Sequence, residues 1–248
     1  MIKETSLTFT QHLEELRSRL WVALAAVAVG TFAGFFFSEA LLKILTAPIQ
    51  NEMGRVYFFS PTGAFTVRLK TALLVGVVAA SPVWLYELWQ FVSPALFEKE
   101  KKMILGLLGA ASLLFLGGVI FAFFWVVPVS LKFLVSGMQS EILKPMISVE
   151  HYVSFLTGML LAFGAAFNFP VMLLALTGLG VLGSEKLCRY RRHVIVLIFI
   201  AAAVLTPTPD VFGQLVLAVP LMVLFEISIL GAKIIEAIRK KRGGGVRT

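Results

Sequence analysis

The stretch ILGLLGAASLLFLGGVIFAFFWVVPVSLKFLV, from Ile104 to Val135, carries a single charge, Lys132. A run of this kind can only be a helix in lipid, because about 20 apolar residues already cross a bilayer and only helices and closed barrels satisfy their backbone there. At 1.5 Å per residue it reaches about 45 Å against a hydrocarbon core of about 30 Å, so it must tilt, kink at Pro128 or project beyond the membrane. Reading outward from it gives five more candidates. Earlier in the chain lie about 20–37 and 71–91; later come 152–176 with Pro170 inside it, 194–205 and 211–231. The fifth is the anomaly. It stops at Thr206-Pro207-Thr208-Pro209 after about 18 Å, short of a bilayer, and an almost absent loop leads into the sixth.

Composition agrees with that reading. The 248 residues are 58% apolar and 15% charged with a mean hydropathy of +0.91, far from the soluble norm of about a quarter charged. The expected fold is an all-α membrane protein, one domain over 1–248, with six spans of which the fifth is short. Met1 to Gln11 is polar and includes Glu4, which lacks the layout of a cleaved leader, so the first span is expected to stay attached. Thr8 and Gln11 form a plausible capping box that starts a helix near Phe9, and that helix continues into the first span. Lysines and arginines crowd 3–19, 99–102, 186–192 and 233–247 and thin out over 43–70 and 132–144. By the positive-inside rule both termini are cytoplasmic, and Arg239-Lys240-Lys241-Arg242 is an anchor for anionic lipid rather than a nucleic-acid patch.

No catalytic pattern emerges. His12, His151 and His193 fall in separate segments without metal spacing, the one aspartate is Asp210, and Cys188 is alone. Neither a phosphate-binding loop nor a GxSxG elbow occurs, so no enzyme activity, metal or cofactor is expected. Instead, two acidic patches interrupt the basic cytoplasmic side: His12-Leu13-Glu14-Glu15-Leu16-Arg17, and Phe97-Glu98-Lys99-Glu100-Lys101-Lys102. Carboxylates there suit a cationic ligand, and paired arginines would gain bidentate, charge-assisted contacts. The competing reading is local pairing: Glu15 with Arg19, Glu14 with Arg17, and Glu100 with its lysines.

Three segments then carry a resemblance. HLEELRSRL (12–20), SPVWLYELWQFVSPALFEKEKK (81–102) and LTPTPDVFGQLVLAVPLMVLFEI (205–227) resemble, in order and across nearly the whole chain, the TatC family, the polytopic receptor subunit of the twin-arginine protein translocase. The resemblance implies a concave, glove-like shell of six helices, the sixth short as well as the fifth, in a bacterial or archaeal cytoplasmic (inner) membrane. It implies that Glu15 and Glu100 bind the paired arginines of a signal peptide on a folded substrate, with His12, Arg17, Phe91, Pro94 and Leu96 around them. Pro48 in the first outer loop, Asp210 and Gln214 at the last hairpin, and Glu226 in the sixth helix also match family positions. TatA/TatB-type single-span proteins would dock around the fifth and sixth helices, and the subunit would self-associate in the working complex. Asn168 departs from the pattern, since many members carry a glutamate there; an amide keeps hydrogen bonding but cannot titrate.

Residue chemistry leaves alternatives at these positions. Asp210 and Gln214 are one turn apart and could be a helix cap with a solvated neighbour; Glu226 could snorkel to headgroups; Asn168 could bond a neighbouring helix. Gly117, Gly118 and Gly158 are expected to allow close helix contacts. Trp21, Trp84, Tyr86 and Trp89 are expected at the interface, with Glu87 anchored among headgroups. The rival function is a secondary transporter or channel for a small solute, but no internal repeat occurs and the strongest acids lie at the cytoplasmic edge rather than at the midplane.

Overall fold

The computed structural model describes residues 9–53, 56–92, 101–136, 146–178, 182–206 and 211–243. Within them the chain is helical, with no strand beyond one isolated bridge between Tyr57 and Ser148. The helices are α1 (Phe9–Phe36), α2 (Ser38–Met53), α3 (Gly63–Ala79), α4 (Ser81–Val92), α5 (Lys101–Phe121), α6 (Val127–Leu131), α7 (Val149–Phe167), α8 (Phe169–Gly178), α9 (Ser184–Arg189), α10 (Arg191–Leu205) and α11 (Val211–Gly243). Four helices or helix runs are long and apolar enough to cross a membrane, and α3 with α4 makes a fifth if that bent pair is one span. α10, at 15 residues, falls short, as its breaker cluster predicts.

Proline and glycine place the breaks. The overlong third run stays helical from Lys101 to Ser136 by opening into π-turns on either side of Pro128, over Ala122–Val126 and Lys132–Ser136. The Val127 N–H reaches back five residues to the Ala122 carbonyl, the wider ring that relieves crowding near a proline. The second span differs from expectation: it begins at Gly63 and bends by 56° between α3 and α4. Pro82 cannot donate to the preceding turn, and the Trp84 indole instead donates to the Val77 carbonyl at 3.0 Å. Trp84 is therefore a bend-holding residue, edge-on to Phe115 at 5.2 Å, and not simply an interfacial anchor.

Two further differences concern the flanks. The first outer loop contains a helix, α2, and Pro48 lies inside it. Tyr152, buried on α7, donates to the Leu45 carbonyl at 2.6 Å and ties α2 to the core. The last helix is not short: α11 runs 33 residues, well beyond the expected end at 231.

The core centres on α7, where Tyr152, Leu156, Met159 and Phe163 are fully enclosed with Leu217 and Phe225 of α11. α1 contributes almost nothing to it, and many of its apolar side chains, such as Val29 and Phe32, face outward as lipid requires. Small residues attach α1 to α3 instead. A Cβ on Gly30 would stand 3.0 Å from the Gly76 Cα, and one on Gly76 would stand 2.5 Å from the Thr31 nitrogen. Backbones approach this closely only through glycine. Gly118 does the same against α7, where a Cβ would meet the Phe163 carbonyl oxygen at 2.5 Å, whereas Gly117 faces open space.

Candidate functional site

The expected site falls where the first turns of α1 meet the last turns of α4. His12, Glu15 and Arg19 recur at i, i+3 and i+7 and share one face of α1; Glu87, Gln90 and Phe91 share one face of α4. The 56° bend at Ala80 aims α4 toward that face. Arg19 holds the corner together. Its Nε and Nη2 donate to Glu15 Oε1 at 3.0 and 2.5 Å, while Nη1 donates to Glu87 Oε2 at 3.2 Å and to Gln90 Oε1. Gln90 in turn donates to the Tyr86 hydroxyl at 2.6 Å. The three charged side chains retain only 21% (Arg19), 24% (Glu15) and 15% (Glu87) of their exposure, so they interact with less solvent screening than a surface pair. Among the described residues, two carboxylates face one guanidinium, an excess of one acidic charge.

An aromatic pair borders the cluster. The His12 and Phe91 rings stack at 4.4 Å with 17° between their planes. Arg17 is not in the corner: it is exposed, about 200° around α1 from Glu15. Glu100, Pro94, Leu96 and Asp210 lie outside the described residues. The local pair Glu15–Arg19 foreseen from spacing is present, but it belongs to a larger set, because Glu87 and Gln90 join it from α4. Reading the sequence missed both, placing Glu87 among headgroups; the spacing Glu87-x-x-Gln90 was the available clue, and nothing in one sequence says which helix it faces.

The remaining candidates sit elsewhere. Gln214 donates to the Phe199 carbonyl at 2.9 Å and joins α11 to α10 at the last hairpin. Beside it Phe212 stacks on Phe133 at 3.9 Å. Ile195, Val196, Phe199, Ile200, Ala203, Val204 and Gln214 line an open groove of about 460 Å³. Glu226 is paired with Arg191 at 2.9 Å, both about half exposed, so it does not sit alone in lipid. Asn168 stands at the break between α7 and α8, and it bonds its own helix rather than a neighbouring one. Its backbone N–H turns to Ala165 at 3.1 Å, and its Nδ2 takes over the Gly164 carbonyl at 3.1 Å. An ionised carboxylate has no hydrogen to donate there, so an amide suits this backbone. The Asn168 Oδ1 is buried without a partner among the described residues.

One polar clamp had no sequence signal. Glu236, far along α11, accepts from the Ser184 N–H at 2.7 Å and from the Ser184 hydroxyl at 2.5 Å, fixing the start of α9. No group of three or more potential metal ligands occurs among the described residues.

A family profile described as "Sec-independent protein translocase protein (TatC)" matches residues 11–220. A Sec-independent protein translocase protein TatC of Carboxydothermus hydrogenoformans is 35% identical over 235 residues, covering 95% of this chain and 96% of that protein. The one from Aquifex aeolicus is 39% identical over 236 residues, covering 94% and 97%. A solved structure, the crystal structure of a twin-arginine translocase receptor TatC, superposes with a TM-score of 0.79 at 39% identity, covering 91% of this chain and 99% of that one.

Proposed function

This chain belongs to the TatC family of Sec-independent protein translocase proteins, and on that premise we propose that its α1–α4 corner receives the arginine pair of a signal peptide. It is a multi-pass membrane protein and the receptor subunit of a twin-arginine translocase. The observation that carries the site assignment is that Glu15 already accepts a guanidinium. Arg19 puts two donors on Glu15 Oε1, which leaves Oε2 outside its grip, and Glu87 adds a second carboxylate to the same corner. An acid excess at a half-shielded helix junction, flanked by the His12–Phe91 stack, favours a planar, multidentate cation over an ammonium.

The rest of the reading follows from that corner. The N-terminus, and with it the corner, faces the cytoplasm, as the distribution of basic residues favours. The C-terminus lies on the same side, its basic tail against anionic lipid. By family position, Glu100 supplies a further carboxylate for the arginine pair, and Pro94, Leu96 and Arg17 belong to the same binding region. The apolar part of the signal peptide lies along the helices, and single-span TatA/TatB-type helices pack on the α10 wall near Gln214. Pro48, Asn168, Asp210 and Glu226 serve the shell rather than the arginine pair. Transport draws on the membrane potential.

A twin-arginine peptide carrying a photoreactive group next to its arginines tests the assignment on the purified full-length chain. Crosslinks are expected in the 12–19 and 87–100 segments and are expected to fade for the twin-lysine peptide. Crosslinks confined to α10 or α11, or insensitive to lysine, reject the site.

A further inference from the structure

The Arg19 guanidinium already holds one oxygen of Glu15, the carboxylate proposed to take an incoming arginine, and it has somewhere else to go. Its Nε and Nη2 edge faces Glu15 on α1, while Nη1 is already shared between Glu87 and Gln90 on α4. We propose that Arg19 is a resident stand-in for the substrate arginine, and that Glu87, with Gln90, is the acceptor to which it withdraws, so that Glu87 sets how readily Glu15 takes a signal-peptide arginine. The inference rests on Glu15 being that acceptor.

The charge count supports an exchange rather than a simple addition. With two carboxylates and one cation among the described side chains, the corner has room for one guanidinium of the incoming pair before it turns positive, the other falling to Glu100. Two guanidinium groups on the one Glu15 carboxylate would sit side by side with like charge and little screening. A rotation of Arg19 onto Glu87 separates them and leaves each arginine with its own carboxylate. The Nη1 contacts mean that Arg19 reaches this alternative without first losing all its partners. Without Arg19, by contrast, the empty receptor would keep two carboxylates close together at a partly buried junction, which is unfavourable. Glu87 is thus a positioning residue acting through Arg19. Gln90, anchored to Tyr86, offers a neutral oxygen that helps hold Arg19 on the α4 side.

The test is a double-mutant cycle on the full-length chain in lipid nanodiscs, read by binding of a fluorescent twin-arginine peptide. With Arg19 present, Glu87→Gln strands Arg19 on Glu15, and affinity is expected to fall about tenfold. In the Arg19→Gln background the same Glu87→Gln change is expected to move affinity by less than about twofold, because nothing needs to be parked. Equal losses in both backgrounds, or no loss in either, overturn the proposal. Should the double variant fail to fold, Glu87→Asp takes its place: it keeps the charge and is expected to bind within about threefold of the unaltered chain, and binding as weak as that of Glu87→Gln overturns the proposal. A Glu15→Gln control separates the two levels. If that change leaves binding intact, the site assignment itself fails; if it abolishes binding while Glu87→Gln is silent, only the exchange fails.

Discussion

The corner between α1 and α4 and the groove along α10 are built on opposite principles. In the corner, polar atoms satisfy one another across two helices, and one guanidinium serves acceptors on both. In the groove the only polar lining residue among the described ones, Gln214, spends its amide on the Phe199 carbonyl, so that the lining is otherwise apolar. Under the proposed function, the contrast teaches that a receptor in lipid can keep a charge-reading contact and a helix-packing contact apart. A charge-selective contact belongs where water and headgroups can deliver ions, while a helix-packing contact needs shape and the absence of unpaired polar groups. If so, each region can be broken without the other.

The largest effect is expected from Gly76→Val. Any side chain there collides with the Thr31 backbone, so α1 must leave α3 and carry Glu15 and Arg19 away from α4. Destabilisation of about 3 kcal/mol is expected from overpacking against backbone, seen as a lower unfolding temperature in detergent together with lost peptide binding; an unchanged melting curve would contradict the seam. Next comes Ile200→Asp in the groove. A carboxylate facing lipid or a docked helix costs about 2–3 kcal/mol, so capture of a single-span partner helix should drop about tenfold or more in pull-downs. Peptide binding should stay within about twofold; a parallel loss would mean that the two regions are not separable. The smallest effect is expected from Glu226→Gln. Its pair with Arg191 is half exposed, and such pairs contribute about 0–1 kcal/mol, so the unfolding temperature should move by less than about 3 °C. A larger drop would show that this ion pair braces α10 against α11.

Much of the fold was legible because it rests on local physics. Hydropathy marked the long apolar helices α1, α5 and α7, Pro128 marked where the third run departs from regular helix, and the breaker cluster foretold the short α10. The bend at Ala80 escaped although Ser81-Pro82 stood in plain view, because apolar residues continue unbroken on both sides and hydropathy does not register direction. The helix α2 escaped because its mixed composition reads as a loop until Tyr152 and the core fix it. At the site, Glu15–Arg19 was legible as an i,i+4 pair, whereas Arg19–Glu87 joins residues 68 apart and Ser184–Glu236 joins residues 52 apart. Periodicity orders residues on one helix; it carries no information on which helices face each other.

On the proposed function, Glu15 recognises a guanidinium as such. Titrating twin-arginine and twin-lysine signal peptides into the full-length chain and its Glu15→Gln variant tests it most directly. The unaltered chain should prefer the arginine peptide by about tenfold or more, and in Glu15→Gln both peptides should bind weakly and nearly alike. An arginine preference that survives the loss of Glu15 would contradict the account.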